Sequence, residues 1–268
     1  MLYFLLLHVN FLKRFLRNWY QGIPRKKEGG IAWGLYLWRL TYKVALWFFG
    51  VTIALTLLFA VLPVPCTPLM FLRTFEQLFD SERSVRWQKD WVPLENISPH
   101  FQLAVVCSED QDFLEHDGFD FNAIKKAYKY NQTHKRKRGA STISQQTAKN
   151  VFLWPSRSIL RKGFEVYLTF LIETVWSKER IMEIYLNIIE CGDGIYGAEA
   201  AAQHYFKKPA KDLNRQESAL LAAILPGPLI YSVQKPSQHI RERQHWIVRQ
   251  MRAWGGEIDY EDPNTPKK

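Results

Sequence analysis

Cysteine is scarce: Cys66, Cys107 and Cys191 are the only three in 268 residues. So few thiols, so widely spaced, exclude a disulfide-built scaffold and a zinc cluster; Cys107 and Cys191 are expected to be buried free thiols, with a single bridge between them as the alternative left open. Strand signals are sparse and no internal repeat occurs, so the expected fold is mainly α. Acidic residues are missing from residues 121–164, a stretch of 44 that holds eleven Lys or Arg. Charge of either sign is missing from Val44 to Leu62, nineteen residues in a row. No small-x-small cleavage site follows that run, which disfavours a removed signal peptide. The proline before Cys66 disfavours a lipid-modified cysteine.

What is present fits an anchored protein with an anionic partner. Apolar types make up 47% of the chain, which excludes disorder throughout. The net charge of +10 points to nucleic acid, a lipid head group or a phosphorylated substrate. As a helix, residues 44–62 would cover roughly 28 Å, close to the hydrocarbon thickness of a bilayer. Trp38, Tyr42 and Trp47 lie where an aromatic belt would sit. A buried core helix is the alternative for this segment. Five cations, Arg25, Lys26, Lys27, Arg39 and Lys43, fall in the twenty residues before it, against Arg73 alone in the twenty after. That bias puts the N-terminus in the cytoplasm and everything after Pro63 outside it. The apolar start at residues 1–7 is too short to span a bilayer.

The expected organisation is a cytoplasmic segment over 1–43, a transmembrane helix over 44–62, a membrane-proximal connector and start of a small lobe over 63–95, a main lobe over 96–255 and a tail over 256–268. Ser98 and Pro99 read as an N-cap and first helical residue. Phe164, Leu168, Leu171 and Val175 share one helical face, as do Ile181, Ile184, Tyr185 and Ile188. Asn214 with Glu217 reads as a capping box, and Pro226-Gly227-Pro228 ends that helix. Gly192, Gly194 and Gly197 imitate a dinucleotide fingerprint, but the segment before them has helical periodicity, so a Gly-rich loop between helices is expected.

Four motifs occur in order. The first runs Ser108-Glu109-Asp110-Gln111-Asp112-Phe113-Leu114-Glu115-His116-Asp117-Gly118. The second runs Gly139-Ala140-Ser141-Thr142-Ile143-Ser144-Gln145-Gln146-Thr147-Ala148-Lys149-Asn150. The third is Arg161-Lys162-Gly163-Phe164-Glu165, and the fourth extends from Lys178 to Asn187. In order and spacing these resemble the signature motifs of the peptidoglycan glycosyltransferases, glycosyltransferase family 51, over residues 67–250. Ala140 departs from the second Gly common in that family. The chain looks like a monofunctional member, since little sequence follows the catalytic unit. The resemblance implies a lysozyme-like, mainly helical catalytic domain with a small membrane-proximal lobe. The implied reaction joins lipid II into glycan strands in cell-wall biosynthesis.

By that resemblance Glu109 is the base that takes a proton from a sugar hydroxyl, a weak nucleophile. Lys149, Arg157, Arg161 and Lys162 are candidates for holding the departing diphosphate, with Lys149 and Arg157 at the family's diphosphate positions. Glu165 either forms an ordinary helix ion pair with Arg161 and Lys162, at spacings of four and three, or orients them or a bound metal. Ser141, Thr142, Gln145 and Gln146 suit a loop lining a sugar cleft, with helix capping as the alternative. Phe113 and His116 shape the turn around Glu109. The sequence marks no definite cofactor, and the resemblance leaves room for a divalent cation near the diphosphate.

The expected partners are lipid II, the growing glycan strand, the bacterial inner membrane and other cell-wall synthesis proteins, with a periplasmic catalytic domain. Two competing readings are a lysozyme-like hydrolase and a non-catalytic basic module that binds nucleic acid or anionic lipid. A neutral glycan needs no cation cluster, whereas a diphosphate leaving group does. The outward orientation disfavours nucleic acid.

Overall fold

A computed structural model describes residues 32–80, 84–134, 137–156 and 158–261. The chain divides into two compact units, residues 1–55 and 56–268. Among the described residues, the first holds most of helix α1, Trp33–Phe59, whose last turn belongs to the second unit. Helix α1 is long and apolar enough to cross a membrane, with a mean hydropathy of 1.8 over its most apolar stretch. It begins at Trp33 rather than at Val44 and so takes in Arg39 and Lys43, whose aliphatic stems tolerate an apolar flank. Thr52 donates its hydroxyl to the carbonyl of Phe48, which hides a polar group within the helix itself.

The second unit is built mostly from helices. Helices α2 (Pro68–Leu78), α3 (Pro99–Glu109), α4 (Phe121–Thr133), α5 (Ile143–Phe152) and α6 (Ile159–Val175) come first. Then follow α7 (Lys178–Ile188), α8 (Ala198–Phe206), α9 (Arg215–Ile224) and α10 (Gln238–Trp254). Ser98 caps α3, with Pro99 in the first turn, and Asn214 with Glu217 forms the capping box of α9, both as expected from sequence. In α3 every residue from Phe101 to Cys107 is buried, so this helix runs through the core and packs on α9 and α10. A second packed group is α5 against α6 and α7.

Three departures from the sequence reading concern how segments are held. The stretch 63–95 contains α2, capped by Thr67, and a strand β1 (Gln88–Lys89). It is stitched to α7 and to the loop after it. Arg73 donates from Nε to Glu190 at 2.9 Å, Gln77 reaches Asp193 at 2.8 Å, and Asn187 exchanges hydrogen bonds with Val92 in both directions. That glycine-rich loop is itself a hairpin of β2 (Glu190–Gly192) and β3 (Ile195–Tyr196), with β1 parallel to β3 in the order β1-β3-β2. Helix α6 buries Glu165, Leu168, Thr169 and Ile172, a face rotated from the apolar one, while Phe164, Leu171 and Val175 are only partly covered. Two polar groups on the buried face explain why hydrophobicity pointed elsewhere.

The opening and closing segments of this unit are fastened down. Trp176 donates its indole N–H to the carbonyl of Thr56 at 2.8 Å, and Arg180 donates to the carbonyls of Phe59 and Leu62. The Phe59 and Leu62 carbonyls lie where a helix end leaves such groups without partners, whereas the Thr56 carbonyl also accepts from the Ala60 N–H. At the other end the Tyr260 hydroxyl donates to Gln102 of α3 at 3.0 Å. Residues 1–31, Lys135, Arg136 and the tail 262–268 lie outside the described residues. Cys66, Cys107 and Cys191 all remain thiols, so the bridge left open between Cys107 and Cys191 is not formed.

Gly194 sits at φ +69° with its would-be Cβ 2.2 Å from the Arg86 carbonyl oxygen, beside the point where Gln88 donates to the Gly194 carbonyl. Gly194→Ala should therefore cost more than about 2 kcal/mol of stability. A denaturant melt of the variant against the wild-type chain checks it.

Candidate active site

Glu109 is the last residue of α3. Because that helix is buried on all sides, its end is held rigidly, and the chain must leave it through Asp110. Asp110 is itself buried and spends both carboxylate oxygens on neighbours. One pairs with His116 Nε2 at 2.9 Å, and the other accepts from the backbone N–H of Ile143, at the start of α5, also at 2.9 Å. His116 Nδ1 accepts from the Gly118 N–H at 3.1 Å, which places the imidazole proton on Nε2, facing Asp110. The hydroxyl of Thr142 then donates to the Gly118 carbonyl at 2.7 Å. Gly118 holds φ +85°, and an added Cβ would sit 2.7 Å from Thr169. Phe113 is fully buried beneath this turn with the Lys178 ammonium over its ring at 4.9 Å. Lys178 also pairs with Glu173, which accepts from Ser144. The first, second and fourth motifs thus form one hydrogen-bonded body.

The second motif supplies both a scaffold and a partner for Glu109. Thr142 and Gln145 close a capping box at the start of α5, each bonding to the other's backbone N–H. Gln145 is buried in that role, so the capping alternative describes it, and the cleft-lining expectation does not. One residue on, Gln146 donates from Nε2 to Glu109 Oε2 at 3.1 Å. Ser108 donates its hydroxyl to Glu109 Oε1 at 3.2 Å. Arg243, on α10, brings Nη2 to 3.7 Å from the same oxygen and donates to the Ser108 hydroxyl at 3.0 Å. Glu109, Ser108, Ser141 and Gln146 open onto a groove of about 900 Å³ whose wall on α10 carries Arg243 and Trp246. Lys126 and Arg138, from the acid-free basic stretch, line it as well.

A second centre lies on α6. The Glu165 carboxylate is almost fully buried and accepts from both Arg161 and Lys162. These two expected diphosphate ligands are thus charge-paired, with Lys162 still about half exposed. Lys149, one turn beyond Gln146 on α5, lies between the centres: its ammonium is influenced by Glu165, Arg161, Lys162 and Glu109. Burial lowers its pKa below the ordinary 10.5; Glu165 and Glu109 oppose that shift, and Arg161 and Lys162 reinforce it. Arg157 lies outside the described residues. Among the described residues no group of three or more His, Cys, Asp or Glu is placed to hold a metal ion. Glu165, the carboxylate nearest the cations, is already engaged.

Ser108 and Arg243 were missed by sequence reading. Helix α10 carries Arg241, Arg243, Arg249 and Arg252, and no local pattern marks one of them. The available signal is positional: Arg243 falls three residues after Ile240 and four before Ile247, both buried, so it flanks the inner stripe.

A family model described as Transglycosylase matches residues 76–252. A biosynthetic peptidoglycan transglycosylase of Mannheimia succiniciproducens is 54% identical over 209 residues, covering 78% of this chain and 86% of the relative. Proteins of the same description from Cronobacter sakazakii and Haemophilus influenzae are each 53% identical, covering 82% and 80% of this chain and 91% and 88% of the relatives. The helical, lysozyme-like catalytic domain expected from the motifs is the one this family model describes.

Two outcomes follow from the geometry. Arg243→Ala should slow glycan synthesis roughly tenfold or more, the worth of a charge-assisted contact, with Arg243→Lys partly restoring it and both variants melting near the wild-type temperature. The alkaline limb of the rate profile should fall below pH 10.5 if it reports Lys149, and Lys149→Arg should move that limb upward in a pH–rate series.

Proposed function

The chain belongs to the transglycosylase family, whose members build peptidoglycan for the cell wall, and on that footing we propose that it polymerises lipid II with Glu109 as the general base. The 4-hydroxyl oxygen of the acceptor GlcNAc attacks the anomeric carbon of the donor chain. The bond from that carbon to the diphosphate oxygen breaks as the new glycosidic bond forms. The hydroxyl proton passes to Glu109, and the electron pair leaves with undecaprenyl diphosphate. Attack from the face opposite the leaving group inverts the anomeric centre.

Each residue then has a stated task. Gln146 and Ser108 orient the Glu109 carboxylate toward the groove that receives the acceptor. Lys149 stands between that carboxylate and the leaving group and meets the growing negative charge, with Arg161 and Lys162 beside it. Glu165 holds those two cations in place rather than touching sugar. Arg157, between the second and third motifs, is assigned with them because it matches the family's diphosphate position. Ser141 lines the groove and binds sugar hydroxyls. The observation that carries this reading is that one helix, α5, brings Gln146 to 3.1 Å from Glu109 and carries Lys149 one turn further on. A hydrolase acting on finished glycan has no leaving phosphate to meet with such a cluster.

Helix α1 is read as a single-pass anchor in the bacterial inner membrane, with the N-terminus cytoplasmic and the catalytic unit periplasmic. The exposed Phe71, Phe75 and Leu78 of α2 suit contact with that membrane.

The test is direct. The purified full chain given lipid II yields glycan strands; Glu109→Gln yields none while still binding lipid II. Equal strand synthesis by the two proteins would remove Glu109 as the base, and no strands from wild-type protein would remove the reaction itself.

A further inference from the structure

Helix α6 presents two chemically opposite faces. One carries Arg161 and Glu165 and turns toward Lys149. The other carries Ile159, Gly163, Val166 and Phe170, spaced by four, three and four residues, so they form one stripe along the helix. Its side chains are in solvent: Ile159 is 95% exposed, Val166 45% and Phe170 66%, and Leu160 beside them is 68% exposed. Scattered apolar groups on a surface need no explanation, but a continuous row along one helix does. Gly163, in the middle of the row, has nothing within 4 Å of where a Cβ would stand, so the stripe has an open notch there. Lys162 lies on the flank between the stripe and Glu165, with its side chain 46% exposed.

Cations and apolar row therefore share one helix and meet at Lys162. A ligand that fits both has a phosphate esterified to a long hydrocarbon, and the donor described above is such a molecule. We infer that the Ile159–Gly163–Val166–Phe170 stripe receives the first isoprene units of the donor's polyprenyl chain. From Ile159 to Phe170 the row measures about 16 Å along the helix axis, room for several such units. The inference rests on the donor reading of the previous subsection. It makes the enzyme a reader of lipid as well as sugar, because hydrocarbon leaving the phosphate at Lys162 meets the stripe at once.

The test uses the full chain in detergent micelles with two substrates: lipid II bearing the undecaprenyl tail, and an analogue cut to a single isoprene unit. The wild-type chain should favour the long tail in kcat/KM. Val166→Ser/Phe170→Ser should lower kcat/KM for the long-tail substrate by about tenfold, the loss expected when buried apolar contacts of this size are removed, and for the short one by less than twofold. Both substituted side chains are exposed, so the melting temperature should stay at the wild-type value. A variant that keeps the full tail preference overturns the stripe assignment. So does a variant that loses both substrates equally, since that marks general contact with acyl chains. A wild-type chain that polymerises neither substrate instead overturns the donor reading.

Discussion

The site depends on one buried carboxylate that spends both its oxygens within the protein. Asp110 holds the His116 imidazole with one oxygen and the first N–H of α5 with the other. Without that bridge the direct tie between the end of α3, which carries Glu109, and α5, which carries Gln146 and Lys149, would be reduced to the Gln146–Glu109 hydrogen bond. Burial makes the arrangement firm, because an unpaired carboxylate in the interior costs several times what an exposed one does. The glycine at 118 and the aromatic at 113 follow from the same requirement. One lets the backbone pass close to Thr169, and the other fills the space beneath the turn. A spacing that looks like a catalytic signature is in large part the plan of a support.

The charged residues divide along similar lines. Arg161 and Lys162 are not free cations as a simple count suggests; Arg161 is largely covered, Lys162 half exposed, and both close on Glu165. Two cations on one buried anion leave a net positive centre whose geometry is set before any substrate arrives, and this is the condition for electrostatic stabilisation without reorganisation. Lys149 completes the centre at some cost to its own charged form. Charge pairing here gives precision of placement rather than stability, since desolvation offsets much of the attraction.

What the sequence revealed and what it hid separate by range. Helix starts were legible wherever a polar cap preceded an apolar run, as at Ser98 and Asn214, because capping is local chemistry. The candidate base, the four motifs and the apolar helix were legible for the same reason. The start of α1 was misplaced because long side chains such as Arg39 do not break a helix. The buried face of α6 was misjudged because Glu165 and Thr169 point inward against their polarity, each satisfied by partners one turn back on the same helix. Helix α2 and strand β1 were read as connector because their order comes from Glu190, Asp193 and Asn187, about a hundred positions downstream. Arg243 stayed hidden because its significance is a meeting of two helices, which no local pattern encodes.

That last contact ties the groove to a distant part of the fold. Helix α10 and Tyr260 both rest against the helix that ends in Glu109. Any change along α10 that loosens its packing therefore reaches the candidate base through Arg243 and Ser108. The firmness of one outer helix and the shape of the groove are a single property.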